Sequence, residues 1–334
     1  MTNTTICLAD FTVSRTGQAL AIQGPLPHPR SLWGWNPDNG QLQFESAGAL
    51  SLPDTVAAIG AALSDLKGGR AASLELQAPA AILDQLRAHG IALPGGEHAA
   101  TVAADLFWQY PAGWLAEPLP ALPLQYRISD GRRHPLRRPQ PQGVVYRRHI
   151  GCLDQTLSFH VADIEADLVH FHRWMNDPHV AEFWQEQGDM EQQRAYLRKI
   201  AADPHALPLI ACLDGKPFGY FEVYWAKEDR LAPFYDAQDY DRGWHVLIGE
   251  PSCRGAAFVS AWLPSISHYL FLDDSRTQRL VIEPRADNAR MRRNLARSGY
   301  ALVKEFDFPH KRALLGTLLR ERFFAEQLWL PQNA

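Results

Sequence analysis

Residues 242–263 read RGWHVLIGEPSCRGAAFVSAWL. The stretch begins as a strand, with apolar Trp244, Val246, Leu247 and Ile248, and ends as a helix, with Phe258, Val259, Trp262 and Leu263 at helical spacing. A histidine interrupts the strand at 245, and Arg254-Gly255-Ala256-Ala257 divides the two patterns. A strand running into a helix N-terminus presents unpaired backbone N–H groups and the positive end of the helix dipole. That arrangement binds phosphate without a charged side chain. Gly255 and the two alanines would let a diphosphate approach the backbone, with Arg254 adding charge at the rim. Taken alone, the same residues fit a plain strand-to-helix turn.

Length and charge narrow the surroundings. A chain of 334 residues suggests two ordinary domains or one large one. Formal net charge is −4, which does not point to nucleic acid or an anionic membrane as a partner. Cys7, Cys152, Cys212 and Cys253 show no CxxC and no metal-ligand spacing. They read as reduced, inert thiols, and no metal is expected. The first residues lack the basic and apolar regions of a secretory signal, and no run approaches the ~20 apolar residues of a membrane helix. The expectation is a soluble cytoplasmic protein acting on a small molecule.

Composition shifts near residue 130. Residues 1–130 read as an α/β domain, with strands in ADFTVSR, QALAIQG and ASLELQA. A helical stripe runs through Val56, Ile59, Leu63 and Leu66, and AAILDQLRAHG is a second helix closed by Gly90. This half holds no catalytic constellation. Packing against the second half, or a homodimer contact, is the work left for it. The segment from 126 to 149 packs seven arginines and three prolines into 24 residues, so 131–150 reads as a linker or surface strap. From 151 to 325 the pattern is β-α-α-β-β-β-α-β-α-β. One hairpin is marked by Asp214-Gly215 between two apolar runs.

That element order resembles the GNAT superfamily of N-acetyltransferases, an α+β fold with a mixed central sheet and splayed strands. DNARMRRNLARSGY resembles the superfamily's later signature, an Asn opening a helix that closes on Gly-aromatic: here Asn288, Gly299 and Tyr300. The closer resemblance is to its hydroxamate-siderophore acyltransferase branch. It rests on RPQPQGVVYRR, TLSFHVAD, RWMNDPHVAEFW, FEVYWAKEDR, YDRGWH, CRGA, RTQRLVIEPRADN and KEFDFPHKR, in order from about 138 to 312. The first 130 residues resemble the branch only weakly.

The resemblance implies acetyl-CoA as co-substrate and an N-hydroxylated amine, such as N6-hydroxylysine, as acceptor. Acylation of N-hydroxyputrescine or N-hydroxycadaverine, with acetyl- or succinyl-CoA, is the near alternative. A non-catalytic acyl-CoA-binding scaffold is the alternative of another class. The implied acyl-CoA-binding set is Val246, Leu247, Ile248, Arg254, Gly255, Ala256 and Ala257, with Asn288 and Arg290 on the later helix. Many members carry a tyrosine general acid where this chain has Leu295, so the acid is unassigned.

His245 and Glu283 are the candidate catalytic pair. A lone strand histidine is ordinarily a satisfied core or surface residue. Glu283, however, ends a neighbouring strand just before Pro284, and parallel strands open their C-terminal ends toward one site. An imidazole and a carboxylate there could accept and pass on a proton, and the resemblance implies the same pair. Backbone N–H groups from Val246 to Ile248 are candidates to hold the acyl oxygen. For substrate contact the candidates are Trp225, Asp229, Tyr235 and Asp241, from a loop rich in acids and aromatics, with Asn176 and Trp184 as an opposite wall. Trp174 reads as core. His310 and Lys311 fit a charged edge or a ligand contact.

Overall fold

The computed structural model describes residues 11–24, 30–46, 50–65 and 73–330. Cys7 and Leu66 lie outside them. The chain divides into two compact units, and the division is not at residue 130. The described residues up to 118, with 147–156 and 324–327, form one, and most of the other described residues form the second.

The first unit carries a six-stranded sheet in chain order: β1 (Thr12–Thr16), β2 (Ala19–Gln23), β3 (Ser31–Asn36), β4 (Gln41–Ser46), β5 (Ser73–Gln77) and β6 (Ala99–Ala103). Helices α1 (Leu52–Asp65), α2 (Ala80–Ala88) and α3 (Ala104–Phe107) accompany it. α1 connects the one parallel pair, β4 and β5. Val56, Ile59 and Leu63 are buried, as their spacing predicts. β3 buries Ser31, Trp33 and Trp35 by strict alternation, a signal present in SLWGWN.

Residues 131–150 are not a linker. Tyr126–Ser129 (β7) pairs with Arg132–Pro135 (β8), and Val144–Ile150 (β9) enters the large sheet. The arginines there are anchors more than a solvated face. Arg137 chelates Glu228 through Nε and Nη2 at 2.6 and 2.9 Å, and Arg138 bonds Asp273.

The chain continues with β10 (Gln155–Val161), α4 (Ile164–Met175), α5 (Pro178–Trp184), α6 (Met190–Ala202), β11 (Ala206–Leu213) and β12 (Lys216–Trp225). It ends with β13 (Arg242–Ile248), α7 (Ala256–Asp273), β14 (Arg279–Ile282), α8 (Ala289–Arg297), β15 (Ala301–Asp307), β16 (Arg312–Leu319) and α9 (Arg320–Ala325). The sheet order is β15-β16-β14-β13-β12-β11-β10-β9.

Local chemistry explains the boundaries. Asp163 caps α4 by accepting from the N–H groups of Glu165 and Ala166, and Asp189 with Gln192 forms a capping box on α6. Asp177 and Pro178 open the next helix. Pro178 is the first residue of α5, whose cap is Asp177. Asp214 and Gly215 both have positive φ, as a tight hairpin between β11 and β12 needs.

One sheet face packs on α4 and α6, through Phe171 against Tyr220 and Tyr196. The next residue along β12, Phe221, points to the other face and meets Trp262 of α7. Trp174 is 1% exposed and belongs to the first of these cores.

Candidate active site

β13 and β14 are parallel neighbours in this sheet. They pair for two residues, Arg242 with Leu280 and Gly243 with Val281, and then separate. From Trp244 onward, one edge of β13 is free of β14. A strand residue points its N–H and C=O toward the same neighbour. The indole of Trp184 donates to the Val246 carbonyl at 3.1 Å, so the Val246 N–H faces that opening too. It is placed to hold a developing oxyanion.

The opening runs into a cleft of about 510 Å³. Val246, Ile248 and Trp184 line one part, and Gly255, Asn288 and Arg290 another. Gly255 has φ +121°, a region L side chains rarely adopt, and a Cβ there would meet nothing within 4 Å. α7 follows with no side-chain cap among the described residues. Its first N–H groups are thus available to an anion. Arg254 differs from its expected place at the rim. Its guanidinium turns inward to the carbonyls of Ile248 and Gly249, at 3.0 and 3.1 Å, and to Asp177 at 3.3 Å. It fixes the splayed end of β13. Asn288 caps α8 through the Met291 N–H, and Arg290 reaches His179 at 3.3 Å. Ala256 and Ala257 are exposed in the first turn of α7. The uncapped turn, the open glycine and Arg290 fit a diphosphate.

His245 lies between two carboxylates. Its Nε2 is 2.9 Å from Glu283 Oε1, and its Nδ1 is 3.3 Å from Glu222 Oε2. Glu222 is its cross-strand partner on β12. Tyr196 and Tyr220 donate to Glu222 Oε1 at 2.6 and 3.0 Å. Lys311 donates to both the carbonyl and the carboxylate of Glu283, and Arg230 lies 3.3 Å from the same carboxylate. Burial alone would lower the imidazole's pKa. Glu283 and Glu222 outweigh it and push His245 up to about 9. Burial would raise both carboxylates, but His245 on each, with Lys311 on Glu283 and the tyrosines on Glu222, holds them low.

The two carboxylates thus favour the imidazolium form of His245. In that form it can donate a proton, and once it has done so it can accept one. Glu222 was not legible as a site residue. It sits inside the apolar run FGYFEVYW, and only that interruption marks it.

The remaining candidates divide. Asp229 joins the site electrostatically. Burial raises its carboxyl, and His245 partly offsets that. Trp184 lies 6.4 Å from the His245 ring, centroid to centroid. The others hold the fold together. Asp241, 2% exposed, is gripped by Arg279 at 2.6 Å and accepts from Tyr235 at 2.9 Å. Neither residue is free for an amine. Trp225 lies 4.0 and 4.1 Å from the guanidinium carbons of Arg137 and Arg242. Asn176 pins the loop at Gly188 through both its amide nitrogen and oxygen. Leu295 is fully buried, and Tyr300 bonds Trp244 in the core. Lys311 turns to Glu283, while His310 stacks on Phe308 and stays exposed.

Residues 163–308 match the family model described as Acetyltransferase (GNAT) domain. Over 223 residues the chain is 46% identical to N(6)-hydroxylysine O-acetyltransferase of Escherichia coli, a match spanning 66% of this chain and 70% of that protein. It is 45% identical over 232 residues to N(5)-hydroxyornithine:cis-anhydromevalonyl coenzyme A-N(5)-transacylase SIDF of Beauveria bassiana, spanning 64% of this chain and 51% of the fungal one. Among solved structures, an uncharacterized protein from Bacillus halodurans superposes with a TM-score of 0.53 at 26% identity, over 57% of this chain and 96% of that one. No helix among the described residues is long and apolar enough to cross a membrane.

Proposed function

Because this chain belongs to the hydroxamate-siderophore acyltransferase branch of the GNAT superfamily, we propose that it acetylates the side-chain nitrogen of N6-hydroxylysine. It is an acyl-CoA-dependent N-acyltransferase, with acyl-CoA as co-substrate. The observation that carries the reading is His245, held between Glu222 and Glu283 beside the opening between β13 and β14.

A hydroxylamine is much less basic than an amine and is mostly neutral at pH 7. No proton has to be stripped before attack, so positioning supplies much of the rate. The nitrogen lone pair adds to the thioester carbonyl, with the oxyanion facing the Val246 N–H. The C–N bond forms, the C–S bond breaks, and the thiolate leaves. His245 gives its proton to the sulfur. A carboxylate beside it takes the proton released by nitrogen, and transfer between the two restores the starting charges. The net change moves one proton from nitrogen to sulfur. This assigns to His245 the acid role that Leu295 cannot fill.

The test is thiol release from acetyl-CoA with N6-hydroxylysine, N5-hydroxyornithine, N-hydroxycadaverine, N-hydroxyputrescine and lysine, with the products then treated with ferric iron. Acylation at nitrogen leaves a hydroxamate that forms a coloured ferric complex, and acylation at oxygen does not. Thiol release with N6-hydroxylysine above the other amines, with colour, supports the reading. Release without colour refutes N-acylation, and no release with any hydroxylated amine refutes the reading altogether.

A further inference from the structure

Three tyrosines near the His245 centre each give their hydroxyl to a carboxylate: Tyr196 and Tyr220 to Glu222, and Tyr235 to Asp241. Tyr224 does not. It is 4% exposed, and its hydroxyl has no hydrogen-bond partner among the described residues. Asp229 and Glu283 are its electrostatic neighbours, yet neither accepts from it. A buried hydroxyl without a partner costs stability that a phenylalanine of the same shape would not.

The chain is nonetheless built around this ring. Tyr224 faces Gly243 across β12 and β13, and a Cβ on Gly243 would come within 2.2 Å of the ring and 2.5 Å of its oxygen. Along the strands, Tyr224 follows Glu222 by two residues and Gly243 precedes His245 by two, so all four share one face. The Tyr224 ring centroid is 4.9 Å from that of the imidazole. The most exposed of its charged neighbours is Arg230, whose side chain is 51% exposed and rests 3.3 Å from Glu283. Burial keeps the phenol protonated, so it remains a donor at any working pH.

We propose that the Tyr224 hydroxyl recognises the N-hydroxyl oxygen of the acceptor and so selects hydroxylamines over amines. This rests on the reading of the chain as a hydroxylamine acyltransferase. On this proposal a nitrogen seated beside His245 presents its hydroxyl oxygen, one bond away, to the phenol whose ring centroid lies 4.9 Å from that of the imidazole. That oxygen supplies the acceptor the hydroxyl lacks. A plain amine leaves it unpaired, and sites built to bond a substrate hydroxyl reject analogues that lack it.

The experiment is Tyr224→Phe, which removes one oxygen and keeps the ring. Parent and variant are assayed with saturating acetyl-CoA against N6-hydroxylysine and lysine, alongside thermal melts. The expected result is a Tm at or above the parent's and a roughly tenfold lower kcat/KM for N6-hydroxylysine. The rate with lysine should be little changed, so the ratio between the two substrates falls. A variant whose kcat/KM for N6-hydroxylysine equals the parent's overturns the proposal. A lowered Tm with an unchanged ratio also overturns it, because the hydroxyl is then structural. A parent inactive on every N-hydroxylated amine overturns the functional reading itself, an outcome visible before the variant is made.

Discussion

Nε2 of His245 and Oε1 of Glu283 meet at 2.9 Å across 38 residues of chain, because β13 and β14 begin in register and then part. The contact decides a charge state. An imidazole with one buried carboxylate on each nitrogen keeps its proton well above the ordinary 6.5.

The first prediction concerns pH and rate. His245 pushed up to about 9 is charged below that value and neutral above it. If it protonates the departing sulfur, kcat should be flat through neutrality and fall as pH rises through about 9. His245→Gln should lower kcat by roughly 10²–10⁴-fold and remove that limb. A limb near 6.5 in the parent would instead make neutral imidazole the working form.

Stability should follow the same groups with opposite signs. A folded pKa raised from 6.5 to about 9 gives His245 a contribution that is whole below pH 6.5 and lost as pH rises through 9. Glu283 and Glu222, held below their ordinary 4.5, contribute above that pH and lose the contribution on acidification. Melts from pH 4 to 10 should show the Tm gap between parent and His245→Gln narrowing above pH 6.5. A gap that widens there would contradict the assignment.

Glu222→Gln tests the carboxylate on the other nitrogen. Tyr196 and Tyr220 can still donate to the amide oxygen, so folding should survive. One of the two carboxylates bonded to the imidazole becomes neutral. The alkaline limb of kcat should move down from about 9 by a pH unit or more, and kcat at pH 7 should fall. An unmoved limb would leave Glu283 alone in control of the imidazole.

The diphosphate site can be tested without straining the backbone. Gly255→Asp would confound charge with the φ of +121°, whereas Ala257 is an exposed first-turn position. An acid there favours the helix by about 0.3–1 kcal/mol. Ala257→Asp should therefore melt at or above the parent's temperature while binding acetyl-CoA at least tenfold more weakly by calorimetry. Unchanged affinity would move the diphosphate elsewhere.

Asp241→Asn separates a fold residue from a substrate contact. Arg279 and Tyr235 both depend on this buried carboxylate. The variant should lose about 3 kcal/mol of stability in denaturant titration, with KM for the acceptor unchanged below its melting range. A raised KM without destabilisation would return Asp241 to the substrate site.

Much was decided by residue order alone. Alternation in β3, the Asp214-Gly215 turn and the Asp177-Pro178 cap depend on neighbours a few residues apart, and those signals are written in the chain. The order of these elements placed Gly255 at a helix start and set His245 and Glu283 on adjoining strands. What folding decided was which polar groups satisfy one another. Glu222 faces His245 because residues 226–241 return the chain to β13 in one register, and a slip of one residue would turn the carboxylate to the other face. Asp241 meets Arg279, and Trp225 meets Arg137, from distances along the chain that no local period encodes. A loop rich in acids and aromatics therefore read as a binding wall, although Glu228 and Asp241 were already paired. A carboxylate's partner is fixed by three-dimensional proximity and burial, and so is the proton on His245.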